Sequence, residues 1–173
     1  SEEAAKIPVE ESAPVAVDWL NGRRTPDANQ LLKGTITGLT LGTTAPMIFR
    51  ALVEATAFGS KAIVDRFVEE GVAIDSIIAI GGISQKSPFV MQTLSDVLNR
   101  PIKVNRAEQA CALGAAMFAA VAAGIYPTIE DAQEKMGAGF SVEYEPSAER
   151  HRIYEALYEK YCRLGRLTEQ IID

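Results

Sequence analysis

The stretch Ile77-Ile78-Ala79-Ile80-Gly81-Gly82-Ile83-Ser84-Gln85-Lys86-Ser87-Pro88 decides the fold. An unbroken apolar run enters a double glycine and leaves it as the start of a helix. Asp75 to Ile80 is a short run, continuously apolar from Ile77 on, the pattern of a strand covered on both faces. The two glycines carry no side chain and permit positive φ. Backbone at the carboxyl end of the strand can therefore come close to a ligand, with unpaired helix N–H groups behind it. Open α/β sheets take their ligands at that end of the strands. The turn matches neither the dinucleotide G-x-G-x-x-G nor the P-loop. Taken alone, it leaves a tight turn and a ligand loop both open.

Outward from this stretch the periods alternate. On the amino-terminal side, Ile48, Leu52, Ala55, Phe58, Ala62, Val64 and Phe67 fall at helical spacing. Thr44 stands where an N-cap would, Pro46 lies in the first turn, and Gly71 supplies the stop. Before that helix, Val15 to Leu20 and Gly34 to Gly42 read as extended segments around strong turn chemistry at Asn21 to Asn29. On the carboxyl side, Ser87 caps a helix with Pro88 at its first position, which ends near Asn99-Arg100-Pro101. Ile102 to Asn105 is a short strand. Gln109 to Gly124 and Thr128 to Met136 are helices, the first alanine-rich and expected to be buried. After a glycine-rich joint at Gly137 and Gly139, Ser147 to Ile172 is a charged amphipathic helix. This order predicts an α/β fold with a mixed sheet and helices on its faces.

With 173 residues the chain is long enough for one full core, or at most one domain with a helical extension. Its net charge of −6 argues against a nucleic-acid or anionic-membrane surface. Cys111 and Cys162 sit in unrelated contexts, with neither disulfide nor metal spacing, so a reducing cytoplasm is the expected setting. Ser1 to Glu11 is acidic and lacks the apolar core of a signal peptide. Ala110 to Tyr126, broken by two glycines, is too short and too weakly apolar to span a bilayer.

Among polar side chains, Gln85, Lys86 and Ser87 follow the double glycine with amide, ammonium and hydroxyl groups within reach of a base, ribose or phosphate. Ser87 reads equally as a cap and Lys86 as a solvated charge. Asp18, Trp19, Asn21, Arg23 and Arg24 form a second polar cluster. Its arginines suit a phosphate or carboxylate, or else pin the turn to its neighbours. His151, among Glu149, Arg150 and Arg152, reads as part of a solvated face, and Cys111 as an inert small hydrophobe.

Ile80-Gly81-Gly82 with Met91-Gln92 and Ser95-Asp96-Val97-Leu98 resembles the second signature of the FGGY carbohydrate kinases. Trp19 to Pro26 is similar to the Gly-x-Arg-Thr-Pro turn of the pentulokinase branch. Gly34 to Gly42, Ala55 to Gly59 and Glu108 to Ala116 fit as well, and Tyr154 to Tyr161 resembles the tail of L-ribulokinases. The resemblance implies a ribonuclease-H-like domain of the actin and hexokinase superfamily, with ATP held between two such domains. It divides the chain into a lead-in (1–14), a nucleotide-side kinase domain (15–140) and a helical extension of that domain (141–173). Nucleotide contact is implied at Gly81 and Gly82, and at Gln85 and Lys86. ATP and Mg2+ are the implied cofactors and a ketopentose the implied substrate. The implied reaction is phosphorylation of L-ribulose to L-ribulose 5-phosphate in L-arabinose catabolism. Another pentulose kinase, such as a xylulokinase, and a non-catalytic nucleotide-binding or assembly module are the alternatives. No nucleic-acid or membrane partner is implied, and a homo-oligomer is compatible with the family. The Asp-x-Gly-Thr phosphate loop, the sugar-deprotonating aspartate and its Gly-Thr turn match nothing in this chain. They are expected upstream, no catalytic or metal residue is assigned here, and the chain by itself is expected to be inactive.

Overall fold

Strand β1 (Val15–Val17) is buried at all three positions and pairs antiparallel with β2 (Thr35–Thr37), Ala16 opposite Ile36. The computed structural model to which these strands belong describes residues 2–10 and 13–172. A short helix α1 (Glu2–Lys6) precedes the pair, within the stretch read as a lead-in, and buries Ala4. Helix α2 (Ala45–Glu69) follows the pair. Thr44 occupies its N-cap position without a side-chain capping bond, so Pro46 in the first turn is the stronger start signal. Its end is a Schellman closure: Gly71, at φ +78°, donates to Val68 O and Val72 to Phe67 O.

β3 (Ile77–Ala79) runs parallel to β4 (Ile102–Asn105). The crossover between them holds α3 (Gly82–Lys86) and α4 (Pro88–Leu98). Ser87 caps α4 through its hydroxyl, which accepts from Val90 N, and Asn99 ends it in the left-handed region at φ 50°. Helices α5 (Ala110–Ala122) and α6 (Ile129–Met136) come next, then β5 (Phe140–Tyr144), antiparallel to β4 with an irregularity between Val104 and Asn105. The sheet β3-β4-β5 is mixed. The last helix is α7 (Ala148–Ile172).

Two cores share α4. One joins β1, Trp19 and Leu32 to Ala55 and Phe58 of α2, Val97 of α4, and Tyr154, Leu157, Tyr161 and Leu164 of α7. The other joins Met91 and Leu98 of α4 to Ile102 of β4, with Ile77, Ala79 and Tyr144 against them. Helix α7 is therefore part of the main core, not an appendage to it.

Three expectations are corrected. β3 is covered on one face only: Ile77 and Ala79 pack inward, while Ile78 is 51 % and Ile80 55 % exposed. Ile78 shares its open face with Lys103 and Glu143, its neighbours across the sheet. Helix α5 is not buried either. It packs on α6 and buries only Met117 and Ala120, leaving Cys111 and Phe118 exposed. His151 is not on a solvated face: its ring Nδ1 lies 2.9 Å from the Asp96 carbonyl of α4.

Two helical glycines separate the effects of packing and propensity. A Cβ on Gly165 would lie 2.9 Å from the Trp19 ring, which is buried and rigid. One on Gly59 would meet Tyr161 and Asp18 at ordinary contact distance, 3.8–4.0 Å. Gly165→Ala is expected to lower stability by about 1–3 kcal/mol through overpacking. Gly59→Ala is expected to raise it by about 0.5–1 kcal/mol through helix propensity. Urea unfolding midpoints check both, and equal shifts would refute the packing argument.

Candidate functional site

The parallel strands β3 and β4 end side by side, and the turn after each faces the other. Gly81 holds φ +90° with ψ 175°, a combination open essentially to glycine alone. The Ser84 hydroxyl, buried beneath the turn, donates to Gly81 O at 2.7 Å and fixes that conformation. A Cβ built on Gly81 or on Gly82 meets nothing within 4 Å. The backbone here is thus bare on its outer side, and a flat ligand can reach it without displacing any side chain.

Gln85 joins this turn to its neighbour. Its side-chain nitrogen donates to the carbonyls of Asn105 at 3.3 Å and Ala107 at 3.1 Å. Asn105 shapes the second turn itself, its Oδ1 accepting from Ala107 N at 2.7 Å. With its amide nitrogen committed, Gln85 keeps its amide oxygen without a hydrogen bond among the described residues. Lys86 is exposed and makes no hydrogen bond or ion pair among the described residues, which leaves its ammonium mobile. Ser87 is spent as the α4 cap. The structure therefore brings Gly81, Gly82 and Gln85 into one surface and leaves Lys86 at its margin. Ser84 and Asn105, which hold the two turns, were not singled out from the sequence. The only local signals were a serine three residues past the first glycine and an asparagine at a strand end.

The rest of the signature is structural. Ser95 Oγ lies 2.9 Å from both the Arg100 and Tyr144 carbonyls, tying α4 to β5. Gln92 donates to Glu145 O at 2.8 Å, and the buried Asp96 receives Arg150 of α7 at 2.6 Å. In the second polar cluster the two arginines part company. Arg23 pins its turn, donating to Asp27 O and to Glu169, with its guanidinium 5.0 Å from the centre of the Trp19 ring. Arg24 is exposed and unpaired among the described residues. Among the described residues, no three His, Cys, Asp or Glu side chains gather as metal ligands, and no helix is long and apolar enough to cross a membrane.

This layer arrangement is that of sugar kinases. A xylulose kinase from Rhodospirillum rubrum superposes with a TM-score of 0.82 at 26 % identity, over 98 % of this chain and 33 % of that one. A ligand-bound xylulose kinase from Lactobacillus acidophilus gives 0.84 at 24 % identity, over 96 % of this chain and 34 % of that one, which bears on the fold alone. Residues 1–123 match the C-terminal domain of the FGGY family of carbohydrate kinases, and the chain belongs to that family. It is 51 % identical over its whole length to a ribulokinase from Vibrio parahaemolyticus, and 46 % identical over 94 % of its length to one from Halalkalibacterium halodurans. It spans about 30 % of the length of each.

Proposed function

We infer that the protein is an ATP-dependent carbohydrate kinase acting on a ketopentose in the cytoplasm, with L-ribulose the substrate and L-ribulose 5-phosphate the product. The observation that carries this reading is the bare Gly81–Gly82 backbone at the carboxyl ends of two parallel strands, in a chain of this family. Ribulokinase relatives at 40–51 % identity favour L-ribulose over the xylulose of the solved neighbours, which stand at 21–26 %.

In this reading Gly81 and Gly82 receive the adenosine side of ATP, the bound nucleotide supplying the phosphoryl group that is transferred. The Gln85 amide oxygen accepts a hydrogen bond from the base or ribose, and the Lys86 ammonium offsets phosphate charge. The fixed Gln85 bridge keeps the two turns at one separation, so little order is lost when nucleotide binds. Phosphoryl transfer depends on alignment and charge neutralisation, and this wall contributes alignment. Among the described residues no group of three His, Cys, Asp or Glu side chains gathers to hold Mg2+.

Two experiments test the reading. A kinase assay of the full-length protein across a pentulose panel should show highest kcat/KM on L-ribulose. No ADP formation with any pentulose would instead leave a non-catalytic nucleotide-binding module. Gly82→Val should raise the Michaelis constant for ATP severalfold or more and leave that for the sugar little changed. Because the added side chain points into open space, the unfolding midpoint should move by less than about 1 kcal/mol equivalent. An unchanged ATP value removes Gly82 from the site.

A further inference from the structure

A cavity of about 480 Å³ opens between the β1–β2 connection, α2 and α7, and shares no residue with the glycine turn. Its volume lies in the range of small-molecule sites. Three acidic and three basic side chains line it: Asp18, Asp27, Glu169, Arg23, Arg24 and Arg166. The pairs cancel unevenly. Arg23 is taken by Glu169, and Asp27 by Arg66 from outside the cavity. Arg24 and Arg166 are left with no hydrogen bond or ion pair among the described residues, and both are exposed. The inner wall is different in kind. Asp18 is half-buried beside Gly59 and Tyr161, its carboxyl bonded to its own backbone N–H and to no side chain among the described residues, and the Trp19 ring is buried next to it. Burial pushes the Asp18 carboxyl above its ordinary range. The absence of a side chain at Gly59 keeps this inner end open.

We propose that this cavity binds a small phosphorylated sugar, with its phosphate between Arg24 and Arg166 and its hydroxyls at Asp18. Two free guanidiniums suit a phosphate monoester, each offering a fork of donors. A half-buried carboxyl with no side-chain partner among the described residues is an acceptor for hydroxyls and a poor neighbour for a second anion. The charge pattern therefore fixes the direction of the ligand, anion outward and polyol inward. It also disfavours free phosphate, which has no uncharged body to fill the inner end. The proposal is independent of the nucleotide reading, since none of its residues lies at the glycine turn.

The test is calorimetric titration of the protein with D-ribose 5-phosphate, inorganic phosphate and D-ribose. D-ribose 5-phosphate should bind saturably in the millimolar range or tighter, and each of the other two at least tenfold more weakly. Arg24→Ala with Arg166→Ala should weaken ribose 5-phosphate at least tenfold. Both side chains are exposed, so the thermal midpoint should stay in place. Asp18→Asn should weaken the sugar phosphate and leave inorganic phosphate unchanged or tighter, and Gly82→Val should affect neither. Inorganic phosphate binding as tightly as ribose 5-phosphate would overturn the proposal. So would no saturable binding at millimolar ligand, or an arginine double variant that binds like the parent.

Discussion

Arg50→Ala is expected to lower the unfolding free energy by about 3–5 kcal/mol, a large fraction of what holds a domain of this size folded. Arg50 projects from α2 into the main core. Its Nε donates to Glu54 Oε1 at 2.7 Å and its Nη2 to Tyr154 Oη at 3.1 Å. Its Nη1 donates to the carbonyls of Ala4, at 3.2 Å, and Ile7. One guanidinium thus joins the amino-terminal segment, α2 and α7. Removing it takes the cationic partner from the Glu54 carboxylate, which is only 2 % exposed and keeps the Tyr154 hydroxyl at 3.3 Å, and deprives the Ile7 carbonyl of its donor. Burial already raises the Glu54 carboxyl above its ordinary range in spite of Arg50's pull, and pushes the Tyr154 hydroxyl up to about 12. Without Arg50 the Glu54 carboxyl rises further. A carboxyl whose folded pKa exceeds its unfolded value costs nothing while protonated in both states. The full cost is felt above the folded pKa. The loss in Arg50→Ala should therefore be largest at neutral and alkaline pH and shrink as pH falls toward Glu54's titration. Replacing both partners, as Arg50→Met with Glu54→Leu, should cost less than the single change. Chemical denaturation at two pH values checks both statements. A loss that grows on acidification would refute the stranded-carboxylate account.

That network was invisible in the sequence, although two of the elements it joins, α2 and α7, were not. The start and stop of α2 are written in Pro46 and Gly71, and those of α4 in Ser87 and Asn99, because helix ends are local events. Strand β5 was missed. Phe140, Val142 and Tyr144 do alternate, but five residues after a glycine joint carry little local preference, and it is pairing with β4 that makes the strand. Helix α5 failed in the opposite direction. Its composition says buried, yet hydropathy reports what a helix prefers to touch and not what is there to touch it. His151 was misjudged for a related reason. Its charged sequence neighbours suggest solvent, while the helix turns its ring toward the Asp96 carbonyl of α4.

The candidate site divides the same way. The bare turn at Gly81 and Gly82 is legible because backbone freedom is a property of the residue itself. The role of Gln85 is not, since its carbonyl partners lie 20 and 22 residues further on. What a side chain does across two turns depends on strand register, which no local pattern specifies.

Asp96→Ala tests whether the signature around the glycine turn extends chemically into α4 or only mechanically. Asp96 is 2 % exposed and its two oxygens accept four bonds. Oδ1 takes Ser147 N at 2.8 Å, Gln92 Nε2 at 3.0 Å and Arg150 Nη2 at 3.2 Å, and Oδ2 takes Arg150 Nε at 2.6 Å. Ser147 in turn caps α7, its hydroxyl accepting from Arg150 N. The carboxylate thus locks the first turn of α7 onto α4, with Oδ1 fully occupied and Oδ2 held by Arg150 Nε. Its loss should cost about 2–4 kcal/mol, below the value for a fully buried pair because Arg150, 43 % exposed, recovers water. Asp96→Asn keeps the shape and one acceptor and should lose about half as much. Arg150→Ala should cost least of the three, since Ser147 and Gln92 still satisfy one oxygen and the other faces the space that the arginine vacates. Amide exchange locates the effect. Protection should fall first along the opening turns of α7, while β3 and β4, held by the second core, keep theirs. An Asp96→Ala protein with unchanged α7 protection would mean that the helix is held by its core contacts at Tyr154, Leu157 and Tyr161 alone. If Asp96 acts only mechanically, the Michaelis constant for ATP should move in proportion to the unfolded fraction and return to the parent value at lower temperature. A persistent change in a fully folded sample would instead place Asp96 in the chemistry of the site.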